Sequence, residues 1–173
     1  MPPPGYAMRA ACAQDSGIIA GHRAAMFRDM GQLSAEEHDT LLSASTPWIA
    51  GLLAEGAYLG RLIEHDGAIV AGGGIWLREL GPVPGCLGVG KWAHLVNVYV
   101  EREHRRRGLA RWLVKELLAW CETHRMDHVT LAASEEGRAL YESLGFVPTA
   151  DMKLTVQPAR GFAGAHQNLT RPS

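Results

Sequence analysis

Alternating apolar and polar residues predict strands in the first half of the chain. A short strand is predicted over residues 6–13, and two longer ones over residues 58–65 and 68–77. Asp66 and Gly67 stand between the longer two, and this dipeptide is a strong signal for a tight hairpin. Residues 58–65 and 68–77 are therefore predicted to pair as antiparallel strands.

Capping residues predict two helices between the first strand and the hairpin. The first helix begins at Asp15 or Ser16 and closes at Gly31, and Ser34 caps the second. Pro47 removes a backbone donor from the second helix, so we predict a break there, followed by a new helical turn.

The next part of the chain contains a loop, a strand and a helix. A proline- and glycine-rich loop over residues 81–90 leads into a strand over residues 92–100, and a helix follows from Leu109 to about His124. One face of that helix is apolar apart from Glu116, and we predict that it lies on the core. Its apolar members recur at helical spacing: Leu109, Trp112, Leu113, Leu117 and Trp120.

The last predicted elements are two short extended segments with a helix between them. A buried strand over residues 129–133 is followed by Ser134, which is positioned to cap a helix over residues 138–144 that ends at Gly145. Residues 146–156 form the final extended segment. Strands and helices in this order predict an α/β fold, in which a mixed sheet has helices on both faces.

Length and charge bound the class of protein. The chain has 173 residues, which predicts one domain over residues 6–156, with a flexible N-terminus over residues 1–5 and a loose tail over residues 157–173. It carries 17 basic and 18 acidic residues, so its charge is nearly balanced. Proteins that bind nucleic acid generally are basic over a whole face, so this balance argues against nucleic acid as a partner.

The cysteines and the apolar segments indicate in which cellular compartment the protein is expected. The three cysteines form no CxxC pair, which argues against a disulfide framework and a cysteine metal site. His124 and His128 have the spacing of metal ligands, but no third ligand is evident, so no metal is predicted. The N-terminus lacks an apolar signal core, and the longest apolar run, residues 67–77, is too short to span a bilayer. We therefore expect a cytoplasmic protein without a membrane partner.

An arginine-rich turn joins the strand over residues 92–100 to the following helix. Arg105, Arg106 and Arg107 precede Gly108 at the start of that helix, where unpaired backbone N–H groups already carry positive partial charge. Glycine lets a ligand approach the backbone, and guanidinium groups can bind two phosphate oxygens at once. This combination predicts a site for a pyrophosphate, although the turn has neither a GxxxxGK[ST] loop nor a GxGxxG motif.

The same turn carries a family resemblance. RRRGLA, residues 105–110, matches the (Q/R)xxGx(G/A) pyrophosphate-loop signature of the GNAT superfamily of acetyl-CoA-dependent N-acetyltransferases. VNVYV, residues 96–100, precedes it as the family's fourth strand does, and ALYESLGF, residues 139–146, follows as its tyrosine-bearing helix. Over residues 6–156 the chain resembles this superfamily, which implies a mostly antiparallel sheet splayed between its fourth and fifth strands.

The resemblance implies positions for acetyl-CoA, the co-substrate. The pantetheine arm is expected in the splay, along the backbone of Val98, Tyr99 and Val100, and the pyrophosphate is expected on the arginine-rich turn. The residues of that turn are Arg105, Arg106, Arg107, Gly108, Leu109 and Ala110. Many members place an asparagine that bonds the arm where this chain has Ser134, so a contact between Ser134 and coenzyme A is left open.

Tyr141 is implied to be the general acid. The family places a tyrosine four residues before the glycine of a Gly-Phe pair, here Gly145, and a phenol can protonate the departing thiolate. The attacking amine must also lose a proton, for which Glu79, His94 and Glu101 are candidate bases. The sequence does not choose among these three.

The first helix supplies the expected contacts to the acceptor. Arg23, Met26, Phe27 and Arg28 combine apolar surface with positive charge, which suits an amine that also carries a carboxylate. We therefore predict an N-acetyltransferase that moves an acetyl group from acetyl-CoA to a primary amine of a small molecule or peptide, by direct attack in a ternary complex. The alternative is a non-catalytic module that senses acyl-CoA in the same pocket, and a homodimer is left open.

Overall fold

A computed structural model of the chain describes residues 2–82, 90–152 and 154. Its centre is one sheet whose strands follow chain order from edge to edge. They are β1 (Ala7–Ala10), β2 (Tyr58–His65), β3 (Ala68–Leu80), β4 (Gly90–Val100) and β5 (His128–Leu131). The first four strands pair antiparallel and β4 pairs parallel with β5, which confirms the predicted mixed sheet and the β2–β3 hairpin.

Within the described ranges, four α-helices cover the two faces of this sheet. They are α1 (Ser16–Asp29), α2 (Ala35–Ala54), α3 (Leu109–Thr123) and α4 (Glu135–Glu142). Leu62 of β2 belongs to a buried cluster with residues of α1 and α2, whereas its neighbour Ile63 belongs to a second cluster with residues of α3. Successive strand residues point to opposite faces, so α1 and α2 lie on one face and α3 on the other.

Local signals predicted the start of α2 and the end of α3 correctly to within one residue. Both hydrogen bonds of a capping box join Ser34 and Glu37 at the start of α2, and α3 ends at Thr123, one residue before His124. The predicted apolar face of α3 is buried at Leu109, Leu113 and Leu117 and continues through Val114 and Cys121.

The helix α4 begins three residues earlier than the predicted residue 138, at residue 135. The reason is that the Ser134 hydroxyl accepts a hydrogen bond from the Gly137 N–H at 3.1 Å, which caps the helix there.

The predicted break at Pro47 is wrong, because α2 continues through this residue. Ser45 and Ile49 on either side of Pro47 are buried, whereas Pro47 itself is exposed. The donor that proline lacks would have bonded the carbonyl of Ser43, which is also exposed and can be hydrated. Burial of the apolar face of α2 against the sheet and α1 therefore outweighs the local cost of one proline.

Three strand predictions also need correction. The first strand covers only Ala7–Ala10, because Ala13–Asp15 form a 3-10 turn closed by a hydrogen bond from the Cys12 N–H to the Asp15 carboxylate. The strand predicted over residues 129–133 is shifted to His128–Leu131. No strand forms over residues 146–152 or at 154, where Val147 and Met152 are exposed, and the rest of that segment and the tail lie outside the described residues.

The strand β4 separates from β5 halfway along its length. Their last paired residues are Leu95 and Leu131, so residues 96–100 of β4 have no partner on that side within the described part of the chain. A bulge lies just beyond, because the register with β3 shifts by one residue and Asn97 has a φ of 57°. The open edge of β4 after this bulge is the splay that the family resemblance implies.

Candidate active site

The turn between β4 and α3 is built to expose backbone donors. Arg106 and Gly108 both lie in the left-handed region, with φ angles of 63° and 81°. Gly108 is the N-cap of α3 and provides no side chain, so no side-chain hydrogen bond caps the first N–H groups of this helix. Open N–H groups, a positive helix end and a concave turn together favour an anion.

The side chain of Arg105 is already engaged inside the protein. Its Nε donates to the Val100 carbonyl at 2.9 Å, and its Nη2 pairs with the carboxylate of Asp29 at the end of α1. Arg102 pairs with the other oxygen of Asp29 at 2.6 Å. Hydrogen bonds from Arg102 and Arg105 lower the pKa of Asp29, so this carboxylate stays ionised and holds the turn against α1.

The side chains of Arg106 and Arg107 differ in how many contacts they already make within the protein. Arg107 donates to the Tyr6 hydroxyl at 3.2 Å and to the Glu103 carbonyl at 3.3 Å. Arg106 is exposed, and its side chain makes neither a hydrogen bond nor an ion pair with any described residue. Arg106 is therefore the cation of this turn that is most available to an incoming phosphate.

Tyr141 lies on α4 and packs against the core cluster that contains α3. The ring of Phe146 meets it edge-on with 5.8 Å between ring centroids, and Gly137 lies so close that a Cβ there would be 3.1 Å from Tyr141 Cε2. Burial raises the pKa of Tyr141 above its usual value, so the phenol keeps its proton at neutral and mildly alkaline pH.

Three of the residues implied to contact the pantetheine arm lie along the open edge of β4, and the fourth, Ser134, is the N-cap of α4. Tyr99 is buried, and Val98 and Val100 are half-buried against the α3 cluster. Ser134 is half-buried and uses an oxygen lone pair to cap α4, which leaves its hydroxyl hydrogen available as a donor.

Arg23 of α1 reaches the bulge in β4. Its Nη1 donates to Asn97 Oδ1 at 2.9 Å, and Asn97 Nδ2 donates to the Tyr58 hydroxyl at 3.4 Å. The guanidinium carbon lies 4.8 Å from the ring centroid of Phe27 and 5.5 Å from that of Trp48. Burial raises the pKa of Tyr58 to about 12, so Tyr58 is a neutral phenol at pH 7. Burial lowers the pKa of Arg23, but an arginine side chain stays protonated in proteins.

The four predicted acceptor residues do not form one group. Arg23 and Phe27 are in contact, and Met26 is half-buried on the same helix. Arg28 is exposed and lines a separate polar cleft with Tyr99, Glu101, Arg102 and Glu103. Arg23 therefore contacts the bulge of β4 at Asn97, whereas Arg28 lies in the cleft beside Tyr99.

Sequence reasoning missed the partners of Arg23, which are Asn97, Tyr58 and Trp48. A signal existed for Asn97, because it is the one polar residue in the apolar stretch VNVYV. Tyr58 and Trp48 carry no local signal, since Tyr58 begins an ordinary strand and Trp48 lies in a helix. Their common location follows from tertiary packing alone.

The three candidate bases have different surroundings. His94 Nδ1 lies 2.8 Å from Thr130 Oγ1, and burial, followed by the charge of Arg78, lowers the His94 pKa. Glu79 is exposed on β3, and Glu101 lies 3.6 Å from His22 Nε2 at the end of β4. A neutral imidazole can accept a proton at pH 7, so His94 has the chemistry of a general base.

The described residues contain neither a cluster of metal ligands nor a membrane-spanning helix. No group of three or more histidine, cysteine, aspartate or glutamate side chains in the described ranges could hold a metal ion. Likewise, none of the described helices combines the length and apolar character that crossing a membrane requires.

Comparison with known proteins identifies the family. The acetyltransferase (GNAT) family model matches residues 23–146, whereas no curated protein matches the chain. A GCN5-related N-acetyltransferase from Ralstonia eutropha JMP134 is 31% identical with a TM-score of 0.82, and the match covers 88% of this chain and 99% of that one.

Two more distant solved structures share the fold. A predicted acetyltransferase from Clostridium acetobutylicum, solved with acetyl-CoA, is 22% identical over 87% of this chain and 96% of its own, with a TM-score of 0.78. Glucosamine-6-phosphate N-acetyltransferase from Arabidopsis thaliana is 20% identical over 88% and 99%, with a TM-score of 0.64. With a family model that matches most of its length and a sheet open at the expected strand, the chain belongs to the GNAT acetyltransferase family.

Proposed function

We propose that the protein transfers an acetyl group from acetyl-CoA to a primary amine of a small molecule or peptide, by direct attack in a ternary complex. The observation that carries this proposal is the open edge of β4 running into the uncapped start of α3. An extended arm can bond to a free strand edge while an attached pyrophosphate meets the N–H groups of the helix. Membership of the GNAT family supports this arrangement.

Each residue of the turn has a separate part in binding coenzyme A. The backbone N–H groups around Gly108, Leu109 and Ala110 would hold the pyrophosphate, and Arg106 and Arg107 would add charge from their exposed guanidinium groups. The backbone of Val98, Tyr99 and Val100 would hold the pantetheine arm, and the free hydroxyl hydrogen of Ser134 offers it a further donor. The side chain of Arg105 would act indirectly, by fixing the turn through Asp29.

The chemistry requires two proton transfers. The neutral amine forms a bond to the acetyl carbon and the carbon–sulfur bond breaks, so the nitrogen loses a proton and the thiolate gains one. Tyr141 would donate to the thiolate, since burial keeps its phenol protonated. His94 would accept the proton of the amine, directly or through water, since burial keeps its imidazole neutral. No covalent acetyl-enzyme is needed for this sequence of steps.

The proposal is tested by measuring binding and turnover separately. Calorimetry should detect binding of coenzyme A, and Arg106→Ala should weaken it about fivefold because one exposed charge-assisted contact is lost. Lys115→Ala is the matched control, since Lys115 is an exposed cation on the solvent side of α3. Release of free thiol with an amine panel should then report acetyl transfer.

The outcomes separate the enzyme from its alternative. Acetylated amine detected by mass spectrometry, at a rate above the spontaneous reaction, supports the enzyme. Tight binding of acetyl-CoA without turnover on any amine would instead favour the sensor module. Coenzyme A binding that is equal in the wild type and Arg106→Ala would contradict the role assigned to this arginine.

A further inference from the structure

Arg23 is a partly buried cation, and buried cations in proteins usually pair with an acidic residue. Its Nε atom is buried without a hydrogen-bond partner, and the side chain forms no ion pair with an acidic residue of the described part. Its polar contact is the neutral oxygen of Asn97. Burying a charge without an opposite charge costs stability, so an anion that enters this site would bind to a guanidinium that is already desolvated.

The surroundings of Arg23 are aromatic and open to the outside. Phe27 and Trp48 both lie within cation–π distance of the guanidinium, and Trp48 contacts Trp76 edge-on at 5.7 Å between centroids. Trp48 is 41% exposed, which leaves the cluster accessible to a small ligand. The cluster therefore offers both a positive charge and apolar surface to a small ligand.

The site is also close to the proposed chemistry. Asn97 is the bulged residue of β4, two positions beyond the last residue that pairs with β5 and next to Val98 at the open edge. Asn97 is 4% exposed and is held from its other side by the Tyr58 hydroxyl. A group bound by Arg23 would thus lie beside the strand along which the acetyl donor is proposed to extend.

We propose that Arg23 binds the carboxylate of the acceptor, and that the substrates are amines that carry a carboxylate together with an apolar group, such as apolar amino acids with a free α-amine. This inference rests on the proposed acetyl transfer and names its substrate class. A single guanidinium matches the charge of a carboxylate, whereas a phosphate dianion would be left without a second cation. The aromatic side chains around Arg23 would pack against the apolar group of the substrate.

The experiment compares matched acceptors and matched variants. Phenylalanine, leucine and methionine are each tested beside the corresponding amide, which keeps the amine and side chain but removes the negative charge. Wild-type protein should acetylate the acids with a kcat/KM at least about tenfold above the amides, as expected for a charged hydrogen bond. In Arg23→Met this preference should disappear through a higher KM for the acids, with little change for the amides or for acetyl-CoA.

Two control variants exclude a purely structural effect. Lys115→Met removes an exposed cation of α3 that lies outside the proposed sites, and should keep the preference for the acids. Arg23→Lys keeps the charge but not the planar guanidinium, and should retain part of the preference. Thermal melting shows whether each variant is folded. If Arg23→Met is unfolded, the preference for acids over amides is compared between the wild type and Arg23→Lys instead.

Binding measurements make the inference independent of turnover. Calorimetry should detect phenylalanine binding to the wild type in the presence of coenzyme A, and binding should fall at least about tenfold in Arg23→Met. Equal affinity in both proteins, or equal wild-type activity on acids and amides, would overturn the carboxylate site while leaving the proposed transfer intact. Absence of acetyl-CoA binding or of turnover on every amine would instead overturn the proposed function.

Discussion

Tyr141 gives the most direct test of mechanism on the scale of one residue. Tyr141→Phe removes one hydroxyl and keeps the ring, so its edge-on contact with Phe146 should survive. Loss of a general acid should lower kcat by about a hundredfold or more while the KM for acetyl-CoA changes little. Steady-state kinetics measure both constants, and Phe146→Leu is the control because it disturbs the same packing without removing a proton donor.

The pH profile gives this residue a second signature. Burial raises the pKa of Tyr141, so the wild-type rate should stay high until the pH exceeds the usual value of a phenol, about 10, and then fall as the acid is lost. This alkaline limb should move or vanish in Tyr141→Phe. A variant with near-normal kcat and the same limb would show that water or another donor protonates the thiolate.

Single residues also mark the limit of what the sequence could predict. The roles implied for Tyr141 and Gly108 follow from motifs a few residues long, which a sequence displays directly. By contrast, Asp29 and Arg105 are 76 positions apart, and Arg23 and Asn97 are 74 apart. Nothing local in the sequence pairs these residues. The contact by which Asp29 holds the turn before α3, and the environment of Arg23, could therefore be identified only from the three-dimensional structure.

The link between α1 and the turn before α3 is testable on the scale of elements. Asp29→Asn keeps the size of the side chain but removes the charge that holds Arg102 and Arg105. The turn should then be less well ordered before coenzyme A binds, which should raise the dissociation constant about threefold to tenfold. Calorimetry measures this constant, and Asp39→Asn is the control because the side chain of Asp39 is 97% exposed on α2.

The direction of the effect distinguishes bracing from competition. If Asp29 merely occupied Arg105 and kept it from the ligand, Asp29→Asn would free the guanidinium and tighten binding of coenzyme A. A lower dissociation constant in this variant would therefore contradict the bracing role. Because the pKa of Asp29 is lowered, its wild-type contribution should persist at neutral pH and decline only in acid.

Elements were predictable where one local cause dominates. Ser34 accepts a hydrogen bond from the N–H group of Glu37, three residues on, so the start of α2 could be anticipated. Ser134 caps α4 in the same way, but the start of that helix was predicted three residues too late. Pro47 is the opposite case, since its local preference for a break is overridden by burial of Ile49 between α1 and the sheet. The segment after α4 shows the same limit, because an extended pattern forms a strand only if a partner strand accepts it.

At the scale of the whole molecule, one buried imidazole should make the folding stability depend on pH. His22 of α1 is 7% exposed, its Nδ1 has no hydrogen-bond partner among the described residues, and its ring lies 5.3 Å from that of Tyr99. Burial lowers the pKa of His22 to about 4. Glu101 favours the charged form, but it lies 3.6 Å away and is 41% exposed, so burial has the larger effect.

This lowered pKa sets the sign of the pH dependence. The unfolded chain binds a proton at His22 as the pH falls below about 6.5, whereas the folded chain binds this proton only near pH 4. The contribution of neutral His22 to folding stability should therefore be complete above about pH 6.5 and be lost between about pH 6.5 and pH 4. Protonation of His22 should lower the free energy of unfolding by roughly 2 kcal/mol between pH 7 and pH 4.5. The pKa of Asp15 is lowered mainly by Arg9, so it should add acid sensitivity only below about pH 4.

Urea unfolding of the wild type and His22→Gln at pH 7 and pH 4.5 measures this contribution. Glutamine does not titrate, so the free energy of unfolding should fall less between the two pH values in the variant, by roughly 2 kcal/mol. His124→Gln is the control, since it makes the same substitution at an exposed histidine at the end of α3. If His22→Gln loses as much stability as the wild type between pH 7 and 4.5, then His22 is protonated in the folded protein and Glu101, not burial, governs its charge.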